Sequence, residues 1–239
     1  MREQIILGNW TMGTLDILLY ESSAITDIGK RIDFLSGKFL GLVYRESTLI
    51  GDINTTEILV IDLNSVDCFT FIDCIEAMRI SNSFSEFKEN LKRVRYRSGK
   101  IAYEDRNHFF TDWREYNPDL VEDITEYIGA GKSSRVKKTL NRKDAVTCFL
   151  PGISCRERQL VYIPAGNADD AVIEDLRTGD YIGIYSEKPG LDVSHVGILI
   201  KNKEDVFFRH ASKSRMRVVD EDFRNYISGK PGIVVLRPM

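Results

Sequence analysis

Along residues 66–79 apolar side chains return at steps of three and four. Cys68, Phe71, Ile72, Ile75 and Met78 share one face, and Asp73 and Glu76 fall on the other. The spacing predicts a helix. Asp67 stands just before its first turn, where a carboxylate accepts from free backbone amides. The same period in Leu15, Leu18 and Leu19, and in Ile25, Ile28 and Ile32, predicts helix across residues 11–36. Phe84, Phe87, Leu91 and Val94 predict another from about Ser83 to Tyr96. Between these, Glu57 to Asp62 reads as a buried strand or packed connector, and Gly37 to Tyr44 as a turn into an extended segment. Pro118 is placed to open a helix reaching about Ile128.

From Val146 onward the pattern changes to strands: Leu160 to Pro164, Tyr181 to Tyr185 after a turn at Gly179-Asp180, Val193 to Ile200, Val206 to Ser212, and Ile233 to Leu236. A polar turn at Lys201 to Asp205 joins the third and fourth. Helices first and antiparallel strands second is an α+β layout. It is read as one domain over residues 1–239, helical to about 145 and strand-rich from about 146. Alternation sets His195, Gly197 and Leu199 on one face and Val196, Ile198 and Ile200 on the other. His210 shares the face of Phe208. The turn sets residues 195–196 opposite about 210–211, so a favourable register makes the two imidazoles cross-strand neighbours and a one-residue slip separates them. Gly197 leaves open space beside the His195 ring.

Composition narrows the function. With 239 residues, 43% of them hydrophobic, the chain can bury a sizeable core. A net charge of −3 and a pI near 5.7 argue against a non-specific nucleic-acid binder. No apolar run approaches the roughly 18 residues of a membrane span. The first ten residues hold three consecutive aliphatics, so no signal peptide is expected as the sequence stands. A cytoplasmic, a separately exported and a leader-cleaved envelope or periplasmic protein all fit. None of the four cysteines forms a Cys-x-x-Cys pair or has a histidine close enough for a local zinc motif. Cys148 and Cys155 could be bridged or free. Gly129-Ala130-Gly131-Lys132-Ser133 is not a phosphate loop, because Glu126 stands where the first glycine is needed. Residues 132–143 are basic and expected at the surface. Lys88, Lys92, Arg93 and Arg95, continued by Arg97 and Lys100, form either a solvated face or a rim that draws anionic groups.

Cys68 opens its helix on the inward face, where the positive end of the helix dipole favours its thiolate. A packed cysteine has the same pattern. A cysteine nucleophile also needs a base within reach and a third polar group to hold that base in the useful tautomer. Cys68, His195 and His210 are the residue types for those three roles, although each histidine is also compatible with a structural place in its strand. Arg106 to Trp113 is dense in functional side-chain types, yet composition alone slightly favours a packed loop with satisfied polar groups.

Asp67-Cys68-Phe69-Thr70-Phe71, Ser194-His195-Val196-Gly197-Ile198 and Phe208-Arg209-His210-Ala211-Ser212 resemble, in that order, the nucleophile, histidine and third-residue motifs of the NlpC-type cell-wall cysteine peptidases and amidases. More narrowly the chain resembles the N-acetylmuramoyl-L-alanine amidase-like branch. That resemblance is carried by Val94 to Gly99, Arg106 to Trp113, Tyr162-Ile163-Pro164, Gly179-Asp180 and Gly190 to Gly197, and runs from about residue 14 to the C-terminus. It implies a papain-like domain with the Cys68 helix packed on an antiparallel sheet or partly open barrel. It also implies amide hydrolysis through a thioester on Cys68, with His195 as base and acid and His210 orienting it. No metal or organic cofactor is implied. The implied substrate is a peptidoglycan fragment, cut first between N-acetylmuramic acid and L-alanine. A stem-peptide endopeptidase, an acyltransferase and a wall-fragment binder remain alternatives. Tyr44 resembles a tyrosine that the superfamily places near the nucleophile, although Leu42-Val43 replace the small residue and proline expected before it. Phe69 likewise replaces a small polar residue. Candidate substrate contacts are Tyr44, Asp67, His108, Asp112 and Trp113, then Arg95 and Arg97 for carboxylates, and Asp192 and Ser194 beside the histidine motif.

Overall fold

The computed structural model describes residues 3–203 and 205–239. Glu204, inside the expected polar turn, lies outside the described residues, as do Met1 and Arg2. In chain order the first part holds β1 (Glu3–Ile6), α1 (Met12–Ser23), α2 (Ile28–Gly37), β2 (Val43–Tyr44), β3 (Leu59–Asp62), β4 (Ser65–Val66), α3 (Cys68–Arg79), α4 (Phe84–Arg95), α5 (Phe110–Tyr116), β5 (Val121–Asp123) and α6 (Thr125–Gly129). The second holds β6 (Ser134–Leu140), β7 (Arg156–Pro164), α7 (Asp170–Asp175), β8 (Tyr181–Tyr185), β9 (Val193–Asn202), β10 (Asp205–Ser212), β11 (Arg217–Asp222), α8 (Phe223–Ile227) and β12 (Gly232–Pro238).

Side chains at the helix starts decide where the helices begin. Asp27 accepts from the Lys30 amide and divides the 11–36 pattern into α1 and α2. At α3, Asp67 Oδ1 accepts from the amides of Phe69 (3.0 Å) and Thr70 (2.8 Å), and the Asp67 amide donates to Thr70 Oγ1 at 2.9 Å. This reciprocal cap satisfies donors that the first turn leaves unpaired.

The main sheet runs β4-β2-β11-β10-β9-β8-β12-β7-β6, with β5 added to β12. Its neighbours are antiparallel except β2 and β4, which are parallel, and β1 and β3 form a separate parallel ribbon. On one face α1 to α4 pack against Val196, Ile198, Ile200, Ala211 and Val218. On the other, α6, α7 and α8 cover Ile182, Ile184, Leu199, Phe208 and Val235. The alternation expected of β9 is thus realised, and the architecture is the papain-like α+β one. No helix described is long and apolar enough to cross a membrane.

Three expectations need correction. The face of α3 that carries Asp73 and Glu76, expected opposite the apolar one, is buried as well. Helix α3 is enclosed, so its charges are met by neighbours in place of water. Asp73 Oδ2 accepts from Arg95 Nε at 3.0 Å, and Glu76 takes two bonds from Arg79 and one from the Tyr181 hydroxyl at 2.7 Å. The helix expected from Pro118 to Ile128 is interrupted, because residues 121–123 pair with the free edge of β12 and only Thr125–Gly129 is helical. The basic segment 132–143 is largely a strand on β7. Its Lys138 is buried, with its ammonium on the carbonyls of Ser186, Lys188 and Leu191.

Candidate active site

The hairpin β9–β10 sets Arg209 opposite Ile198. Carried one residue on, this register puts His210 across from Gly197, so His195 and His210 are diagonal partners. Their facing nitrogens, His195 Nε2 and His210 Nδ1, are 2.7 Å apart, with the ring planes at 89°. His210 Nε2 lies 3.1 Å from Oε1 of Glu221 on β11, and the Ser212 hydroxyl reaches the same oxygen at 3.5 Å. The His210 ring stacks on Phe208 and meets Tyr226 edge-on. The space beside Gly197 is not open. A Cβ there would sit 2.6 Å from the Phe208 ring and 2.7 Å from the Arg209 carbonyl, so glycine admits Phe208 at this crossing. A bulge in the β8–β9 pairing takes Ile184 to His195 but Tyr185 to Val193. It leaves Ser194 exposed beside the histidine, its hydroxyl donating to the Ile184 carbonyl at 3.3 Å.

Burial sets the charge of both rings. It lowers His195 to about 3, helped by His210 and Lys230, and lowers His210 to about 4 against the opposing pull of Asp220. Both are neutral at neutral pH.

Cys68 opens α3 and keeps part of its surface accessible. The expectation that the helix start favours its thiolate is only half met. Backbone N–H groups of Val196, Cys68 and Phe69 do favour it, but burial and then the Asp67 carboxylate outweigh them, and the thiol is pushed up to about 12. The Val196 amide follows His195 in the chain, so the start of α3 meets β9 beside the imidazole's own backbone. Tyr44 and Tyr226 are raised by burial first, with the charge of Cys68 adding to it. The Tyr44 hydroxyl donates to Glu46 at 3.3 Å.

A cavity of about 590 Å³ opens on the imidazoles, lined among others by His195, His210, Ser212, Glu221, Tyr226 and Lys230. A larger one, about 920 Å³, lies between α2 and β9. Its Arg237 is held by Asp180, its Lys201 by main-chain carbonyls, and it contains no thiol or imidazole. Among the described residues no group of three or more His, Cys, Asp or Glu is arranged to hold a metal.

Several expected contacts lie elsewhere. Asp67 is engaged as the helix cap. Arg95 is buried against Asp73, with Nη1 donating to the Val60 carbonyl at 2.6 Å. Asp112 is buried on Arg158 Nη1 at 3.1 Å, and Trp113 is buried edge-on to Tyr181 and Phe69. Asp192 is buried, accepting from the Thr111 amide (2.8 Å) and hydroxyl (2.9 Å) and from the Val193 amide (2.7 Å). His108, partly buried and lowered by burial to about 4, has Nε2 2.8 Å from the Tyr103 carbonyl. Arg97 pairs with Asp105. Residues 106–113 thus form a polar hub tying the helices to the strands, with Arg106 on Glu57 and Asn107 donating to the Val94 carbonyl at 2.9 Å. Their density in functional types goes with mutual satisfaction inside the fold, and like Cys68 and Tyr44 they lie outside the lining of the imidazole cavity. No sequence pattern marks Glu221. Only the strand register brings it to His210.

A model of the family described as AmiA-like, N-acetylmuramoyl-L-alanine amidase-like, matches residues 34–233. The chain belongs to the N-acetylmuramoyl-L-alanine amidase-like family. The stretch matched by the family contains Cys68, His195, His210 and Glu221. An N-acetylmuramoyl-L-alanine amidase from Bacteroides uniformis superposes with a TM-score of 0.72 at 26% identity, over 88% of this chain and 98% of that one. A Legionella pneumophila protein shares the fold with a TM-score of 0.81 at 23% identity, over 95% and 94% of the two chains. A Bacteroides fragilis protein described as a putative xylanase superposes at 0.68 with 28% identity, over 84% and 98%. No curated protein matches the chain.

Proposed function

We propose that residues 1–239 form one cysteine amidase domain that cleaves peptidoglycan fragments between N-acetylmuramic acid and L-alanine. The observation that carries this reading is the 2.7 Å contact of His195 with His210 on the strand whose Val196 amide meets the Cys68 thiol. Family membership and the Bacteroides uniformis amidase support the choice of substrate.

Cys68 attacks the amide carbonyl while His195 takes the thiol proton. Because thiol and imidazole are both neutral at rest, the proton moves as the attack develops, and no standing ion pair precedes it. Backbone amides at the start of α3 receive the oxyanion. The imidazolium returns the proton to the leaving L-alanine nitrogen, which leaves a thioester on Cys68. His195 then deprotonates a water that attacks the thioester, releasing the muramic carboxylic acid and restoring the thiol. His210 holds the imidazole in place. Ser194, which lines the imidazole cavity, and Tyr44, whose hydroxyl donates to Glu46, are the candidates for substrate contact. A glycosidase would instead face two carboxyl groups across the scissile bond. This cavity faces a pair of imidazoles with one carboxylate behind them.

Incubation with a defined muropeptide and mass spectrometry tests the reading. A free stem peptide and a sugar carrying a free lactyl carboxylate are expected. Cuts within the peptide assign an endopeptidase, a new conjugate assigns a transferase, and unchanged but bound muropeptide assigns a binder.

A further inference from the structure

We propose that Glu221 is a positioning residue that decides which nitrogen of His195 carries the proton. The catalytic consequence rests on the amidase reading above, whereas the proton arrangement does not. A carboxylate can only accept, so across the 3.1 Å contact His210 must donate from Nε2. A neutral imidazole has one N–H, which leaves His210 Nδ1 as a lone pair. His195 Nε2, 2.7 Å away, must then be the donor. The one proton of His195 is fixed on Nε2, and its Nδ1 is bare. A base that takes the Cys68 proton needs that bare nitrogen.

The direction of the whole relay is thus set at its far end. With no acceptor at position 221, His210 can carry its proton on Nδ1 and donate to His195 Nε2. His195 would then be protonated on Nδ1, the tautomer that cannot accept from the thiol. Phe208 and Tyr226 pack against the His210 ring and hold it in line with Glu221. Both rings are kept neutral by burial, as the tautomer argument requires. Ser212 donates to the same carboxylate oxygen and adds a second tether to its position.

The test uses the full chain with ¹⁵N-labelled histidine and two-bond ¹H–¹⁵N spectra at neutral pH, beside muropeptide kinetics. Wild type is expected to show Nε2–H tautomers at both His195 and His210. Glu221→Leu is expected to move population to Nδ1–H at both, and to lower kcat about tenfold with KM little changed. Glu221→Gln, whose amide oxygen still accepts, is expected to keep the wild-type tautomers and most of kcat. An Nδ1–H tautomer at His195 in wild type overturns the proposal, and so does an unchanged tautomer population in Glu221→Leu. If Glu221→Leu does not fold, the wild-type spectrum alone decides. Were the amidase reading wrong, no variant would turn the muropeptide over, yet the nitrogen shifts would still report the relay, so the two failures separate.

Discussion

At the scale of single residues, burial favours a protonated Cys68 thiol and a neutral His195 imidazole. Burial pushes Cys68 up to about 12 and lowers His195 to about 3, against the helix-start amides that favour the thiolate. Alkylation of Cys68 by iodoacetamide, followed on its own peptide by mass spectrometry, should therefore rise steadily above pH 8 with no reactive limb near pH 5. A low-pH limb would mean a preformed ion pair. The three histidines also bear on stability. Each is held below its unfolded value of about 6.5, so the unfolded chain takes up protons that the folded chain refuses as pH falls. Their contribution is complete above about pH 6.5 and is lost toward pH 4. Asp112 and Asp192, raised by burial, act in the opposite sense, so a differential measurement isolates the imidazoles. Between pH 7 and 5, His108→Gln should lose about 1–2 kcal/mol less stability than wild type in denaturant melts. Parallel losses would contradict the assignment. The place of Cys68 at a helix start and of His195 and His210 on strands can be counted from the sequence. That of Glu221 cannot, since one carboxylate among 36 acidic residues has no mark of its own until β11 is registered on β10.

At the scale of elements, α3 is fixed at its start by the Asp67–Thr70 cap and along its length by buried ion pairs. The cap and the apolar stripe were readable from spacing. The burial of Asp73 and Glu76 was not, because periodicity reports one apolar face and says nothing of a partner such as α4 arriving on the other side. Arg95→Met strands the Asp73 charge in the core and should cost about 3–5 kcal/mol. Arg95→Met combined with Asp73→Leu should recover part of that loss in a double-mutant cycle, and additive losses would show that the two residues do not act as a pair. Element β5 departs from the local helical signal for a related reason. Pro118 is a fair helix opener locally, but an unpaired β12 edge offers Val121–Asp123 backbone partners that a helix would forgo.

At the scale of the whole molecule, two cores lie on opposite faces of one sheet. The thiol comes with the helix on one face, and the imidazole relay stands beside Phe208 and Tyr226 of the other. The Val196 amide, next along the chain from His195, favours the Cys68 thiolate. The layout of helices followed by antiparallel strands was legible in chain order. Which charged residues would be buried was not, and for that reason Asp112 and Trp113 read as candidate substrate contacts although both are buried. Catalysis as proposed requires that Cys68 form the covalent intermediate. The most direct measurement is muropeptide turnover by wild type and by Cys68→Ala at matched thermal stability. A loss of at least about 10³-fold is predicted. A variant that kept even half of the wild-type rate would contradict the account.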